Sequence, residues 1–258
     1  MASDGGPTHR LAPNVITATA AGARTATDWN MPSDAAATRI FLLSPAHSGG
    51  KRAELLLGGC GRFPLAARLR AGETVTLAEA FSFLSGLYFR GKLTYAQRFA
   101  RPPAGVLGVQ VITSNRGLLP ADTPLTAAEL RAFAETAIRP DEPRYREPLQ
   151  RDLAVIAGSA PVDAAPPAVV LLGSVATGKY VDVLLDIVGE RLLFPAEFVG
   201  RGDMSRGTLL LRAVRAGQEL EYQSIATAAR RGQRPRRMGA GDGDSGAHTP
   251  IGAHTGRD

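Results

Sequence analysis

Four short stretches of this 258-residue chain set polar and charged side chains among small residues and glycines. The first, SPAHSGGKR at 44–52, holds Ser44, His47 and Lys51 around a Gly pair. Histidine titrates near neutrality and can transfer a proton. A Gly pair ahead of a basic helix start can present backbone N–H groups to an anion. His47 is the only histidine outside the two ends of the sequence, which argues against a His-rich metal centre. The second stretch, TSNRG at 113–117, puts Arg116 directly after an apolar run, where a guanidinium can clamp a phosphate or a carboxylate.

The third stretch is LLGSVATGKY at 171–180. Gly173, four residues, Gly178 and Lys179 make the skeleton of a P-loop, which next requires Ser or Thr to hold magnesium. Tyr180 stands there, with the wrong length and shape. Glu197, the one acid near a later apolar run, follows Pro195, which interrupts that run. The expectation is a strand-to-helix junction that binds an anion near Lys179 without hydrolysing a nucleotide; a degenerate P-loop nucleotide binder is the alternative. The fourth stretch, FPAEFVGRGDMSRG at 194–207, packs Glu197, Arg201, Asp203, Ser205 and Arg206 among three glycines. Two arginines beside two acids hold the acids ionised or clamp an anion.

The elements that must position these stretches read as α/β. TRIFLLS (38–44), GVLGVQVITS (105–114) and PAVVLLGS (167–174) are continuous apolar runs ending in polar turns, the pattern of buried parallel strands. Between them, TLAEAFSFLSGLYF (76–89) and LTAAELRAFAETA (125–137) have helical spacing and capping boxes, Thr76 with Glu79 and Thr126 with Glu129. LTYAQRFA, PRYREPLQRDLAVIAG and GKYVDVLLDIVG read as further helices; RLLFP, GTLLLRAV (207–214) and ELEYQSIA read as short strands. Alternation of this kind predicts a three-layer sandwich, a mainly parallel sheet with helices on both faces. The first three polar turns should then share the carboxyl edge, where such sheets bind ligands, with the fourth joining them and Asp203 as the buried acid.

Composition sets the outer limits. The chain is 44% hydrophobic and 21% charged, enough for a sizeable core, and no apolar stretch reaches membrane-spanning length. One cysteine, Cys60, permits neither an internal disulfide nor a thiolate metal site and suits a reducing cytoplasm. Residues 1–37 and 231–258 have the composition of disordered ends around a single domain at 38–230. From Arg230 onward there are six basic and three acidic residues, a net +3 of the chain's +6. Basic clusters of this kind attract phosphate backbones or simply stay solvated.

The order IFLLSPAHSGGKR, VQVITSNRGLLPADTPLT, VVLLGSVATGKYVDVL resembles the uracil-DNA-glycosylase-like domain of archaeosine synthases and YaaA-type proteins over about residues 40–190. Thr113, Ser114, Gly117, Leu118, Leu119 and Pro120 carry its middle motif. The resemblance implies a three-layer α/β sandwich and a theme of nucleic acid or modified bases. The Gly-Gln-Asp-Pro and His-Pro-Ser motifs of uracil excision are absent, so that activity does not carry over.

Two functions follow as expectations. One is an enzyme on a nucleic acid or nucleotide, acting at an N-glycosidic bond or a modified base. Asp203, Glu197 and His47 would supply its chemistry, and Ser44, Lys51, Arg116, Lys179, Arg201 and Arg206 its anion contacts, with no metal or cofactor. The other is a non-catalytic nucleic-acid-binding module.

Overall fold

Parallel strands covered on both faces read as unbroken apolar runs, and such runs form the middle of the sheet. The computed structural model describes residues 38–159 and 165–228; the expected disordered ends lie outside these residues. In chain order the elements are β1 (Arg39–Leu43), α1 (Lys51–Leu57), α2 (Pro64–Arg70), β2 (Val75–Thr76), α3 (Leu77–Ser85), α4 (Leu87–Phe99), β3 (Val109–Ile112) and β4 (Leu118–Leu119). Then follow β5 (Pro124–Leu125), α5 (Ala127–Glu135), α6 (Pro143–Ala157), β6 (Ala168–Leu172), α7 (Gly178–Val188), β7 (Leu192–Pro195), α8 (Asp203–Ala216) and β8 (Tyr222–Ser224).

Six strands make one sheet in the order β4-β3-β1-β6-β7-β8. β3, β1, β6 and β7 are parallel, and the two edge strands run antiparallel to their neighbours. The fold is therefore α/β with a mostly parallel central sheet. Ile40 to Leu43 and Val169 to Leu172 are fully buried, each worth about 1.5–3 kcal/mol of transfer free energy.

The connections fix where a ligand can sit. β1 leads through α1–α4 to β3 on one side, whereas β6 leads through α7 to β7 in the opposite direction. Right-handed crossovers then put α1–α4 and α7 on opposite faces. The packing of α4 on α8 and of α6 on α7 agrees with this. The chain thus leaves adjacent strands β1 and β6 toward opposite faces, the arrangement that in open α/β sheets marks the ligand crevice at the carboxyl ends of the strands. The loop after β7 leaves the same edge, so all four polar stretches stand on it.

Two local expectations are corrected. The run 76–89 is not one helix: it breaks at Gly86, whose φ of +59° favours glycine, and α4 restarts at Leu87. The run 207–214 is not a strand but the interior of α8. Three successive leucines suit either period, and packing decides: Gly207 lies so close to α4 that a Cβ on Gly91 would sit 2.8 Å from the Gly207 carbonyl oxygen.

Candidate functional site

β1 ends at Leu43, and Ser44 follows at the crevice with its side chain buried. Gly173, just beyond β6, lies so close that an added Cβ would stand 2.8 Å from Ser44 Cβ. From α4, Lys92 reaches the same point. Its Nζ donates to the Ser44 carbonyl at 2.5 Å and to Ser44 Oγ at 2.9 Å. The amine also lies over the rings of Tyr88, at 4.6 Å, and Phe89, at 5.2 Å. Lys92 is 1% exposed and forms no ion pair among the described residues. Burial pushes its ammonium down to about 7; Asp203 on α8 pulls it up and Arg206 pushes it down further.

Lys92 is the group the sequence reading missed. It occupies the apolar face of α4, with Tyr88 and Phe89 before it and Tyr95 and Ala96 after it, all buried. A second signal was available. Of 30 lysines and arginines only three are lysines, Lys51, Lys92 and Lys179. Lys51 opens α1 after the β1 loop, Lys179 lies in the first turn of α7 after the β6 loop, and Lys92 touches Ser44. All three stand at the carboxyl edge.

Around Lys92 the first turn of α8 closes the site. Arg206 is buried; its Nε and Nη2 donate to the Phe198 carbonyl at 3.2 and 3.0 Å, and its Nη1 lies 3.6 Å from Asp203. Arg206 thus fastens the turn Ala196–Phe198 to α8 through two of its donors. The Tyr88 hydroxyl is buried without a well-formed hydrogen bond, and burial raises its pKa well above the ordinary phenol range. Asp203 is not the buried acid expected: although it lies on the same face of α8 as the buried Arg206, Gly207 and Leu210, it is the first residue of the helix and its side chain is 70% exposed.

The remaining expected residues spread along the edge. His47, Lys51 and Lys179 are exposed, with the Lys179 amine 5.0 Å from the Tyr180 ring. Arg201 donates to the Glu197 carbonyl at 2.8 Å and to Ser205 Oγ at 3.2 Å; Glu197 itself is exposed. No contact joins His47 to Asp203 among the described residues.

The P-loop-like turn has a specific geometry. Tyr180 points into the core and is 5% exposed. A Cβ on Gly178 would sit 2.0 Å from Asp182 Oδ2, so this carboxylate from the next turn lies over the start of α7. The helix end that would hold a phosphate already carries its own negative charge.

Arg116 belongs elsewhere. The β3–β4 hairpin sets it beside an open groove of about 660 Å3 with Asn115, Arg144, Pro148 and Arg151 on its walls. Each arginine there already meets a carboxylate: Arg116 with Glu129 at 2.6 Å, Arg144 with Glu142 at 2.9 Å, Arg151 with Asp152 at 2.8 Å. The groove is a salt-bridged furrow, and the buried amine lies outside its walls. Among the described residues no cluster of His, Cys, Asp and Glu could hold a metal, and no helix is long and apolar enough to cross a membrane. No family model, curated protein or solved structure matches this chain.

Proposed function

We propose that this protein is an enzyme acting on a nucleic acid or nucleotide, at an N-glycosidic bond, in the crevice between the ends of β1 and β6. The observation that carries the reading is the gathering of the chain's three lysines at that edge. Lys51 and Lys179 are exposed on its rim, where Arg201 adds a third cation, and a rim of cations attracts a phosphate backbone. Lys92 supplies a buried amine held against Ser44, just past the end of β1. Asp203, exposed but within electrostatic reach of Lys92, would stabilise positive charge developing at a sugar carbon. The likeness to uracil-DNA-glycosylase-like domains supports the same substrate class.

A non-catalytic binding module is the second reading, and the exposure of Asp203 favours it, since an acid left in water gains little catalytic power. Binding of single-stranded DNA and RNA, followed by fluorescence anisotropy across a salt series, addresses the shared part. The pair Lys51→Gln with Lys179→Gln should weaken binding about tenfold and lower the salt slope by roughly two. Release of free base, followed by chromatography, separates the readings: Asp203→Asn should stop it while sparing binding. Wild-type protein that binds but releases no base is the module. Wild-type protein that binds neither polymer nor nucleotide defeats both.

A further inference from the structure

Lysine is the scarce cation of this chain, and Lys92 is the lysine that folding removes from water. Arginine stays charged in any protein setting, whereas a desolvated lysine can lose its proton near neutrality and then carries a nucleophilic lone pair. The surroundings of Lys92 are those of such an amine. The rings of Tyr88 and Phe89 flank it, and its bonded partners are the neutral oxygens of Ser44. The charged groups that act on it both come from α8, Asp203 favouring the ammonium and Arg206 opposing it. The amine lies against Ser44, just past the end of β1, at the switch point where the chain leaves β1 and β6 toward opposite faces and an open α/β sheet binds its ligand.

We propose that Lys92 is the reacting amine of this crevice, adding through Nζ to C1′ of a pentose unit. The inference rests on the reading that the ligand is a nucleotide or nucleic acid, and names the nucleophile and the carbon. The Nζ lone pair forms the bond to C1′ as the bond from C1′ to the base nitrogen breaks. The base leaves with that electron pair and takes one proton from Nζ. The C1′–O4′ bond then opens, the remaining Nζ proton passes to O4′, and an imine joins Lys92 to the open sugar. Water adds to the imine carbon, returns the free amine and leaves the sugar as an aldehyde, so one water is consumed and no oxidant is needed. Ser44 orients Nζ from two sides, and turning its side chain about χ1 frees one of the positions it holds.

The test uses the full chain at pH 7 with 2-deoxyribose 5-phosphate as the probe and sodium cyanoborohydride to deliver hydride to an imine carbon, fixing a secondary amine. Peptide mass mapping should find one adduct, on Lys92, although Lys51 and Lys179 are far more exposed. Its rate should rise about tenfold from pH 6 to pH 8 as the amine loses its proton near 7. Lys92→Arg should remove the adduct. The wild-type map decides alone, so a variant that fails to fold changes nothing. Adducts on Lys51 and Lys179 with none on Lys92, or no adduct, overturn the proposal. A chain that binds oligonucleotides yet gives no Lys92 adduct loses this inference and keeps the proposed function. A chain that traps the sugar phosphate on Lys92 but ignores nucleic acid keeps the amine and loses the polymer.

Discussion

The two ends of β1 each bury a cation, and they treat it in opposite ways. At the amino end Arg39, 6% exposed, pairs with Glu219, which also accepts from the Tyr222 hydroxyl at 2.8 Å and has Arg101 at 3.8 Å. The Tyr222 and Tyr95 hydroxyls meet at 2.7 Å, and the Leu220 N–H donates to Tyr95 at 2.8 Å, so the charge is held in a closed network. At the carboxyl end Lys92 has the carbonyl and hydroxyl of Ser44 and no bonded carboxylate. A buried charge costs several kcal/mol unless it is paired. The amino end meets that cost with a counter-ion and serves the scaffold, tying the segment between α8 and β8 to the start of β1. At the carboxyl end burial instead lowers the amine to about 7, so that near neutrality a share of it is uncharged and available for chemistry.

Breaking the paired end should produce the largest effect. Glu219→Gln leaves Arg39 buried without its counter-ion and should cost about 3–5 kcal/mol of unfolding free energy in urea titrations. Replacing both partners, Arg39→Met with Glu219→Leu, should recover much of that loss, since apolar groups then fill the space. A loss below about 1 kcal/mol for Glu219→Gln would mean that the pair is not desolvated as described.

The unpaired end should show itself in the pH dependence of stability. Lys92 titrates near 7 when folded and near the ordinary 10.4 when unfolded. Between those values the unfolded chain binds a proton that the folded chain does not, so stability rises with pH, by up to about 1.4 kcal/mol per unit. The contribution is complete above the unfolded value and lost as pH falls toward 7. The buried phenols work the other way. Burial raises Tyr95 to about 12 and Tyr222 higher still, so above about pH 10 the unfolded chain sheds those protons first and stability falls. Melts from pH 7 to 10 should therefore climb for the wild type and be nearly flat for Lys92→Met. Equal slopes in the two proteins would show that Lys92 keeps its proton throughout.

How much of this was legible in the sequence follows from what each signal measures. The strands were legible because burial on both faces writes an unbroken apolar run, as in Ile40–Leu43 and Val169–Leu172. The capping boxes at Thr76 and Thr126 are local, and both form, each Thr Oγ1 accepting from the N–H three residues on. The α8 helix was not legible, because three leucines fit two periods and a contact with α4, over a hundred residues earlier, decides between them. Asp203 was expected as a buried acid in a loop, but it opens α8 with its side chain in water: composition shows an acid among glycines, and only its place at the helix start sets its exposure. Lys92 escaped because it falls between the helical runs TLAEAFSFLSGLYF and LTYAQRFA, which α4 in fact joins across it. Its neighbours three and four residues away, all aromatic or small, are what mark it as buried.

The smallest effect should come from a cation that the sequence treats like the others and the structure does not. Arg116 follows β3 at the carboxyl edge, yet its guanidinium is engaged by Glu129 at 2.6 Å, with both side chains over a third exposed. Exposed pairs of this kind contribute between about zero and 1 kcal/mol, because water screens the attraction and two long side chains must be ordered to make it. Glu129 also accepts from the Thr126 N–H at 2.8 Å, so it keeps its place at the start of α5 when the arginine is gone. Arg116→Ala should therefore lower stability by less than about 1 kcal/mol. It should leave nucleic-acid binding within about twofold, whereas the Lys51 and Lys179 pair, free of ion pairs among the described residues, carries the salt dependence. A tenfold loss for Arg116→Ala, measured beside an unaffected Lys51 and Lys179 double variant, would move the binding surface from the β1–β6 crevice to the groove beside β3.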